Sequence, residues 1–336
     1  MKTPAPKPSS LLRRRDFTLG LGAVGLAGLV GRRAEAADAG VAKSSGTAKA
    51  PKAGKPAKSA YPSVKIGYAA ITWGDAHARE AMTEIAQLGY PGVQLRATIT
   101  RDWNQPLDLK TDLEHFKLTF ACVSGGGPSA DPAKRSEEVE KFAKLVTFAK
   151  AAGALHVQAT SPSRTGPVDK AQLEAFAETL NAIGKRTASL GVPLIFHPHM
   201  DQLVETAEET AIVMKKTDPK LVRLLLDTGH WAAAGGDPAQ AIKQYAKRLA
   251  MLHIKDVVVD ETAAPGADAK LKAKHKFVEL GKGKVDFKAV FEALKAARFK
   301  GWAVVELDKA DRAPKDAAEA NKAYLEGLGL VIAPTA

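Results

Sequence analysis

Cysteine is nearly missing from this chain: Cys122 is the single thiol in 336 residues. That excludes an internal disulfide. Cys122 lies inside the apolar run Leu118–Val123 and reads as a small buried hydrophobe. No apolar run is long enough to cross a bilayer, which takes roughly 20 residues. The nearest candidate, Leu19 to Val30, is short and rich in Gly and Ala. Also lacking is the Gly-rich turn that normally follows the first strand of a doubly wound dinucleotide fold. That position holds Ile71-Thr72-Trp73-Gly74-Asp75. Finally, most of the chain lacks excess positive charge. Residues 1–60 hold 12 Lys or Arg against 3 Asp or Glu, whereas 61–336 hold 37 against 34, leaving a net +3 there. A nucleic-acid partner would need its basic residues clustered on the folded part, so none is expected.

The basic N-terminus has a different explanation. Arg13-Arg14-Arg15-Asp16-Phe17 precedes the weakly apolar stretch, and Ala34-Glu35-Ala36 offers a small-x-small cleavage site, with Ala37-Asp38-Ala39 competing. This pattern resembles a twin-arginine export signal spanning residues 1–36. It implies passage through the twin-arginine machinery, a periplasmic or secreted destination and no stable membrane anchoring after cleavage. An uncleaved N-terminal anchor is the competing reading. Residues 37–61 are Ala, Lys, Pro, Gly and Ser with almost no large apolar side chain. Such a segment buries too little surface to offset chain entropy and is expected to be a disordered linker.

From Val64 onward, strand and helix patterns alternate. Strands are predicted near residues 64–68, 92–95, 118–121, 155–158, 193–196, 222–226, 250–254 and 303–306. Helical patterns separate them, at 77–88, 137–152, 170–190, 205–216, 238–248, 286–297 and 316–328. Several end in Gly, as Leu88-Gly89 and Leu190-Gly191 do, which is helix C-cap chemistry. Eight strands with about eight helices match a closed (β/α)₈ TIM barrel over residues 62–332. The one long connection, Val257 to Lys284, is expected to form a flap over the mouth.

Polar side chains gather at the predicted strand ends. Gln94 and Arg96 follow the second strand, His197 and His199 the fifth, and Glu205 opens the next helix. Asp227 and His230 follow the sixth strand, His253, Lys255 and Asp256 the seventh, and Glu306 and Asp308 the eighth. In a barrel these ends form one rim. Carboxylates and imidazoles together suit a divalent ion such as Mn²⁺ or Zn²⁺. Each member also has a bland explanation, since Asp227 before Thr-Gly can cap a turn and Glu205 can favour a helix N-terminus. Trp73, Trp103 and Trp231 occupy rim loops, where stacking on a sugar and packing under the flap are equally open.

The segments LGYPGVQLR (88–96), FHPHM (196–200), LLLDTGHWAAAGGDP (224–238), MLHIKD (251–256) and FVELGKGKVDF with GWAVVELD (277–308) resemble the xylose-isomerase-like TIM-barrel family of sugar isomerases, epimerases and inosose dehydratases. FHPHM and AGGDP resemble the inosose dehydratase branch. The resemblance implies one divalent metal ion and a small carbohydrate substrate. Asp227, His253 and Glu306 match ligand positions, and His230 and Lys255 match substrate-facing ones. Two departures follow: Gln94 stands where the family usually has Glu, and His197 stands where many epimerases have a metal-binding Glu. Glu205 is expected as the fourth ligand, with His199 the alternative. The expected chemistry is removal of a proton next to a carbonyl, by His199 or Glu306, with Lys255 and His230 on substrate oxygens. His197, Arg96 and Trp73 are expected to contact substrate. Epimerisation, isomerisation or elimination then follows, on a keto-sugar, inosose or oxidised glycoside. A sugar-binding barrel without turnover and a metal-dependent phosphodiesterase are the other classes.

Overall fold

The computed structural model describes residues 59–259 and 275–333. The expected export signal, most of the linker and the middle of the expected flap lie outside the described residues. Tyr61, at the predicted end of the linker, is already packed: its ring meets Phe291 and its hydroxyl donates to Glu292.

Eight parallel strands close a barrel. They are β1 (Val64–Ala69), β2 (Gly92–Arg96), β3 (Thr119–Ser124), β4 (Val157–Ala159), β5 (Leu194–Phe196), β6 (Val222–Asp227), β7 (Leu249–Ile254) and, last in the chain, β10 (Gly301–Val305). Around the ring the order is β1-β10-β7-β6-β5-β4-β3-β2. All eight predicted strands are therefore present, shifted by a few residues at their ends. A two-stranded antiparallel hairpin, β8 (Asp256–Val259) with β9 (His275–Val278), stands apart from the barrel. It occupies part of the expected flap.

Helices α1 (Ala78–Gln87), α4 (Arg135–Ala151), α5 (Lys170–Ser189), α6 (Ala207–Lys216), α8 (Pro238–Gln244), α9 (Phe287–Ala296) and α10 (Pro314–Gly327) correspond to the predicted ones. Three others fall outside the helical stretches read from the sequence: α2 (Ile99–Asp102), α3 (Pro106–His115) and α7 (Thr228–Ala233). Pro106 opens α3 at the position where a missing N–H costs nothing.

Strand alternation builds two cores. Ala69, Cys122, Ile195, Leu225, Met251, Trp302 and Val304 fill the barrel interior, confirming Cys122 as a buried hydrophobe. Leu224, Leu226, Leu252, Ile254, Ala303 and Val305 face the helices. Gly92 is required by the interior packing, because a Cβ there would lie 2.3 Å from the Trp302 ring. The same two-residue period carries the inward row upward from Leu225 to Asp227, from Met251 to His253 and from Val304 to Glu306. Asp227 pairs in register with His253, and His253 with Val304. The apolar interior thus ends in a polar lid at the carboxyl edge of the sheet.

Candidate metal centre

Asp227 is the last residue of β6 and also the N-cap of α7. Its Oδ1 accepts from the Gly229 and His230 N–H groups at 2.8 and 2.9 Å. Its Oδ2 is buried with no hydrogen-bond partner. Oδ1 fills the turn-capping role weighed from the sequence, which leaves Oδ2 as the oxygen free for a site role.

Around Asp227 Oδ2 stand three further ligand atoms. His253 Nδ1 lies 3.4 Å away and also 3.3 Å from Glu306 Oε1, and His197 Nε2 lies 4.0 Å away. Ligand atoms of His197, Asp227, His253 and Glu306 all fall within 4.8 Å of one another, and all four residues are buried. Besides Asp227 Oδ2, the Nδ1 atoms of His253 and His197 are buried without a hydrogen-bond partner. Unsatisfied polar atoms at this depth are costly; Asp227 Oδ2 and His253 Nδ1 face each other, whereas His197 meets Asp227 with its other nitrogen, Nε2. Two carboxylates and two imidazoles are a donor set suited to a first-row divalent ion. The residues fit such an ion.

Lys255 supplies a fixed positive charge beside this quartet. Its Nζ donates to Glu306 Oε1 at 3.0 Å and Asp308 Oδ1 at 2.9 Å, and lies 3.6 Å from Asp227 Oδ2 and 3.2 Å from His230 Nε2. Phe277 on β9 covers the ammonium, 4.5 Å from its ring centre. Gly229 makes room for the stem, since a Cβ there would meet Lys255 Cγ at 2.7 Å. The hairpin bearing Phe277 is tied down by Glu279, which receives two 2.7 Å hydrogen bonds from Arg312.

The charges set one another's protonation. Burial opposes ionisation of Asp227 and Glu306, but Lys255 and the histidines hold Asp227 below the ordinary carboxylate value and Glu306 well below it. Burial would likewise lower His253, yet Glu306 and Asp227 push it up to about 9. Lys255 is raised in the same way, against burial, by Glu306, Asp227 and Asp308. His197 and His230 go the other way, well below the usual imidazole value, because burial dominates and neighbouring cations add to it. Both are neutral at physiological pH, as a metal-binding imidazole must be.

A cavity of about 440 Å³ opens above the quartet, within the range of small-molecule sites. Gln94, Arg96, His197, His199, Glu306 and Asp308 line it, together with Ser124, Gln158, Thr160 and Gln202. Arg96 pairs with Asp75 at 3.0 Å. His199 is half-buried, its Nδ1 lies 2.7 Å from the Met200 carbonyl, and its ring stacks on His230 at 3.7 Å.

The expected ligands Asp227, His253 and Glu306 come together; Glu205 does not join them. Glu205 accepts from the Asp201 N–H at 3.1 Å and pairs with Arg164 at 3.5 Å. The capping box of Thr206 and Glu209 begins α6 after it, which leaves Glu205 in the preceding loop. His197, expected to touch substrate, takes the fourth corner. Lys255 and His230, expected to face substrate, are enclosed behind the quartet and are absent from the cavity lining. Trp73 is buried, donates to Glu84 at 2.7 Å and packs edge-on against Tyr68. Trp103 donates to Asp112, and Trp231 packs on Tyr245. Asp256 points outward and staples the following loop, accepting from the Gly281, Gly283 and Val285 N–H groups. Gln158, Ser124 and Thr160 carry no sequence signal beyond a polar side chain at or next to a strand end, and Gln202, in the loop between β5 and α6, carries not even that.

A profile of the xylose isomerase-like TIM barrel matches residues 82–328. The chain is similar to the rhizopine catabolism protein MocC of Rhizobium meliloti, 32% identical over 279 residues, covering 75% of this chain and 84% of that protein. It is 28% identical over 297 residues to an inosose dehydratase of Geobacillus kaustophilus (strain HTA426), covering 79% of this chain and 94% of the relative. Among solved structures, an L-ribulose 3-epimerase superposes with a TM-score of 0.65 at 19% identity, covering 80% of this chain and 94% of that one. At that identity the likeness is one of fold.

Proposed function

The chain belongs to the xylose isomerase-like TIM-barrel family, and from that premise we propose that it is an exported, divalent-metal-dependent enzyme. It removes a proton next to the carbonyl of an inosose, keto-sugar or oxidised glycoside, and its main outcome is elimination. The observation that carries this reading is the convergence of the orphaned Asp227 Oδ2 and His253 Nδ1 with His197 and Glu306 beneath a polar cavity.

An ion held by His197, Asp227, His253 and Glu306 supplies Lewis-acid polarisation of a substrate oxygen. The protein does the rest. Both Glu306 oxygens are engaged, Oε1 by Lys255 and Oε2 by Gln94, so Glu306 is poorly placed to take a proton. His199 is better placed. With its Nδ1–H directed to the Met200 carbonyl, a neutral ring presents the Nε2 lone pair elsewhere. His199 takes the proton and the C–H electron pair moves toward the carbonyl oxygen. Asp308, which lines the cavity with Oδ1 held by Lys255, is the second group able to handle a proton. Loss of a β-oxygen with that proton gives an enone and water or alcohol; return of the proton to carbon gives epimerisation instead. The enclosed Lys255 holds Glu306 and Asp308 in place.

The uncharged lining of Ser124, Gln158, Thr160 and Gln202 suits hydroxyl groups, and the one guanidinium beside it, Arg96, is already paired with Asp75. The relatives named as inosose dehydratase and MocC support the elimination branch. Export rests on the Arg13-Arg14-Arg15 leader.

The test is deuterium entry from D₂O into scyllo-inosose, a ketohexose and a 3-keto-glucoside, followed by NMR with the full chain stripped of metal and then reloaded. Metal-dependent exchange or elimination is expected, falling by about 10²–10⁴ in His199→Gln as for loss of a general base. Sugar binding with no exchange on any substrate makes the protein a binding barrel. Exchange that ignores metal removal overturns the role given to the quartet.

A further inference from the structure

Gln94 is buried on β2, at a position where the family pattern usually has Glu, and its amide reaches two members of the quartet. Its Oε1 lies 2.9 Å from His253 Nε2, and its Nε2 lies 3.2 Å from Glu306 Oε2 and 3.1 Å from Gln158 Oε1. The orientation follows from charge: Glu306 is a carboxylate and only accepts, so the amide nitrogen must face it. The amide oxygen then faces His253, whose Nε2 must carry a hydrogen. That leaves Nδ1 as the ring atom able to ligate, and Nδ1 is the atom aimed at Asp227 and Glu306.

We propose that Gln94 is the positioning residue of the metal centre. It fixes which nitrogen of His253 binds the ion and holds the Glu306 carboxylate in place, both through one amide. A carboxylate at this position serves His253 but has no hydrogen for Glu306, and it sets a second negative charge against Glu306 Oε2. A hydrocarbon serves neither. Gln158 anchors the amide from behind, so β2 and β4 set ligands that belong to β7 and β10. The proposal rests on reading the quartet as a metal site.

The experiment uses Co²⁺, whose absorption bands report ligand geometry, titrated into the metal-free full chain and into Gln94→Leu and Gln94→Glu. Wild type is expected to bind Co²⁺. Gln94→Leu is expected to bind 10- to 100-fold more weakly, the usual loss when a partner of a metal ligand is removed, with a shifted band. Gln94→Glu is expected to shift the band whichever way its affinity moves, and it stands in should the leucine variant fail to fold. Unchanged affinity and spectrum in the folded variants overturn the proposal while the metal site stands. A wild-type chain that binds no Co²⁺ removes the metal site and the proposal together.

Discussion

The two halves of the barrel mouth are built on opposite principles. The half formed by β6, β7 and β10 is charged and closed: Asp227, His253, Lys255 and Glu306 lie within contact of one another and Phe277 seals the back. The half formed by β2, β3 and β4 is open and mostly uncharged, with Gln94, Ser124, Gln158 and Thr160 along the cavity wall and Arg96 held by Asp75 beside them. His197 and His199, after β5, stand at the seam. Charge that is fixed, paired and dry can grip an ion or a developing negative charge without reorganising. Uncharged donors and acceptors facing a cavity can exchange water for hydroxyl groups at little cost. The contrast sets a half suited to holding an ion against a half suited to selecting a substrate, with Gln94 and its anchor Gln158 bonded across the divide.

That separation can be broken experimentally, most severely at Asp227. Asp227→Asn keeps an oxygen for the α7 cap but replaces the orphaned Oδ2 with a donor. Metal affinity is expected to fall by more than about a hundredfold, beyond the loss for an indirect partner, with turnover lost. Calorimetric titration and elemental analysis of the purified variant measure it, and unchanged metal content would dissolve the charged half as a functional unit.

Next comes Lys255→Met, which strips the counter-charge from buried Asp227 and Glu306. Removing one partner of a buried ion pair typically costs about 3–5 kcal/mol. Denaturant unfolding of the metal-free variant should show a loss of that size, part of it recovered with Mn²⁺. The same substitution logic predicts little from the open half.

The metal-free protein should also respond to pH through His253. Its folded value is raised to about 9, above the ordinary imidazole value near 6.5. A raised value means a stabilising contribution fully present below about pH 6.5 and lost as pH climbs through about 9. The thermal midpoint without metal should therefore decline across that window, and loading an ion near pH 7.5 should release a proton, seen as buffer-dependent binding heat. A midpoint flat across the window would place His253 outside the ionic cluster.

The smallest effect belongs to the open half. Thr160→Val removes one hydroxyl from the cavity wall; a single hydrogen bond is worth about 1 kcal/mol. KM should rise roughly fivefold with Co²⁺ affinity unmoved. A loss of metal affinity here would show that the halves are coupled beyond the Gln94 amide.

How much of this was legible in the sequence follows from how each residue is placed. Apolar runs ending in Asp227, His253 and Glu306 carry their own geometry, because a strand's two-residue period turns spacing into direction. Eight such runs alternating with amphipathic helices leave few folds open. Glu205 stays away from the quartet, and His197 stands beside it while still lining the cavity, because the path of the loop after β5 depends on the Thr206–Glu209 cap and the Arg164 pair, which strand periodicity does not describe. Lys255 shares the inward face as its spacing requires, yet the hairpin that shuts it away is a tertiary arrangement joined through distant Arg312. Gln158 and Thr160 resemble any polar residue near a strand end until the cavity is seen. Gln94 stands out as a polar residue at a strand end and as a departure from a family pattern, but its bonds to His253 and Glu306 appear only in the folded barrel.

Asp227 divides its carboxylate between a helix and the quartet, and that division has a further effect. Charge drawn toward Oδ2 leaves less on Oδ1, the oxygen that anchors the first turn of α7, and Trp231 sits in that helix packed on Tyr245. An ion bound by the quartet would thereby act on an indole four positions along the chain, and Trp231 emission is expected to change as Zn²⁺ is titrated into the metal-free full chain.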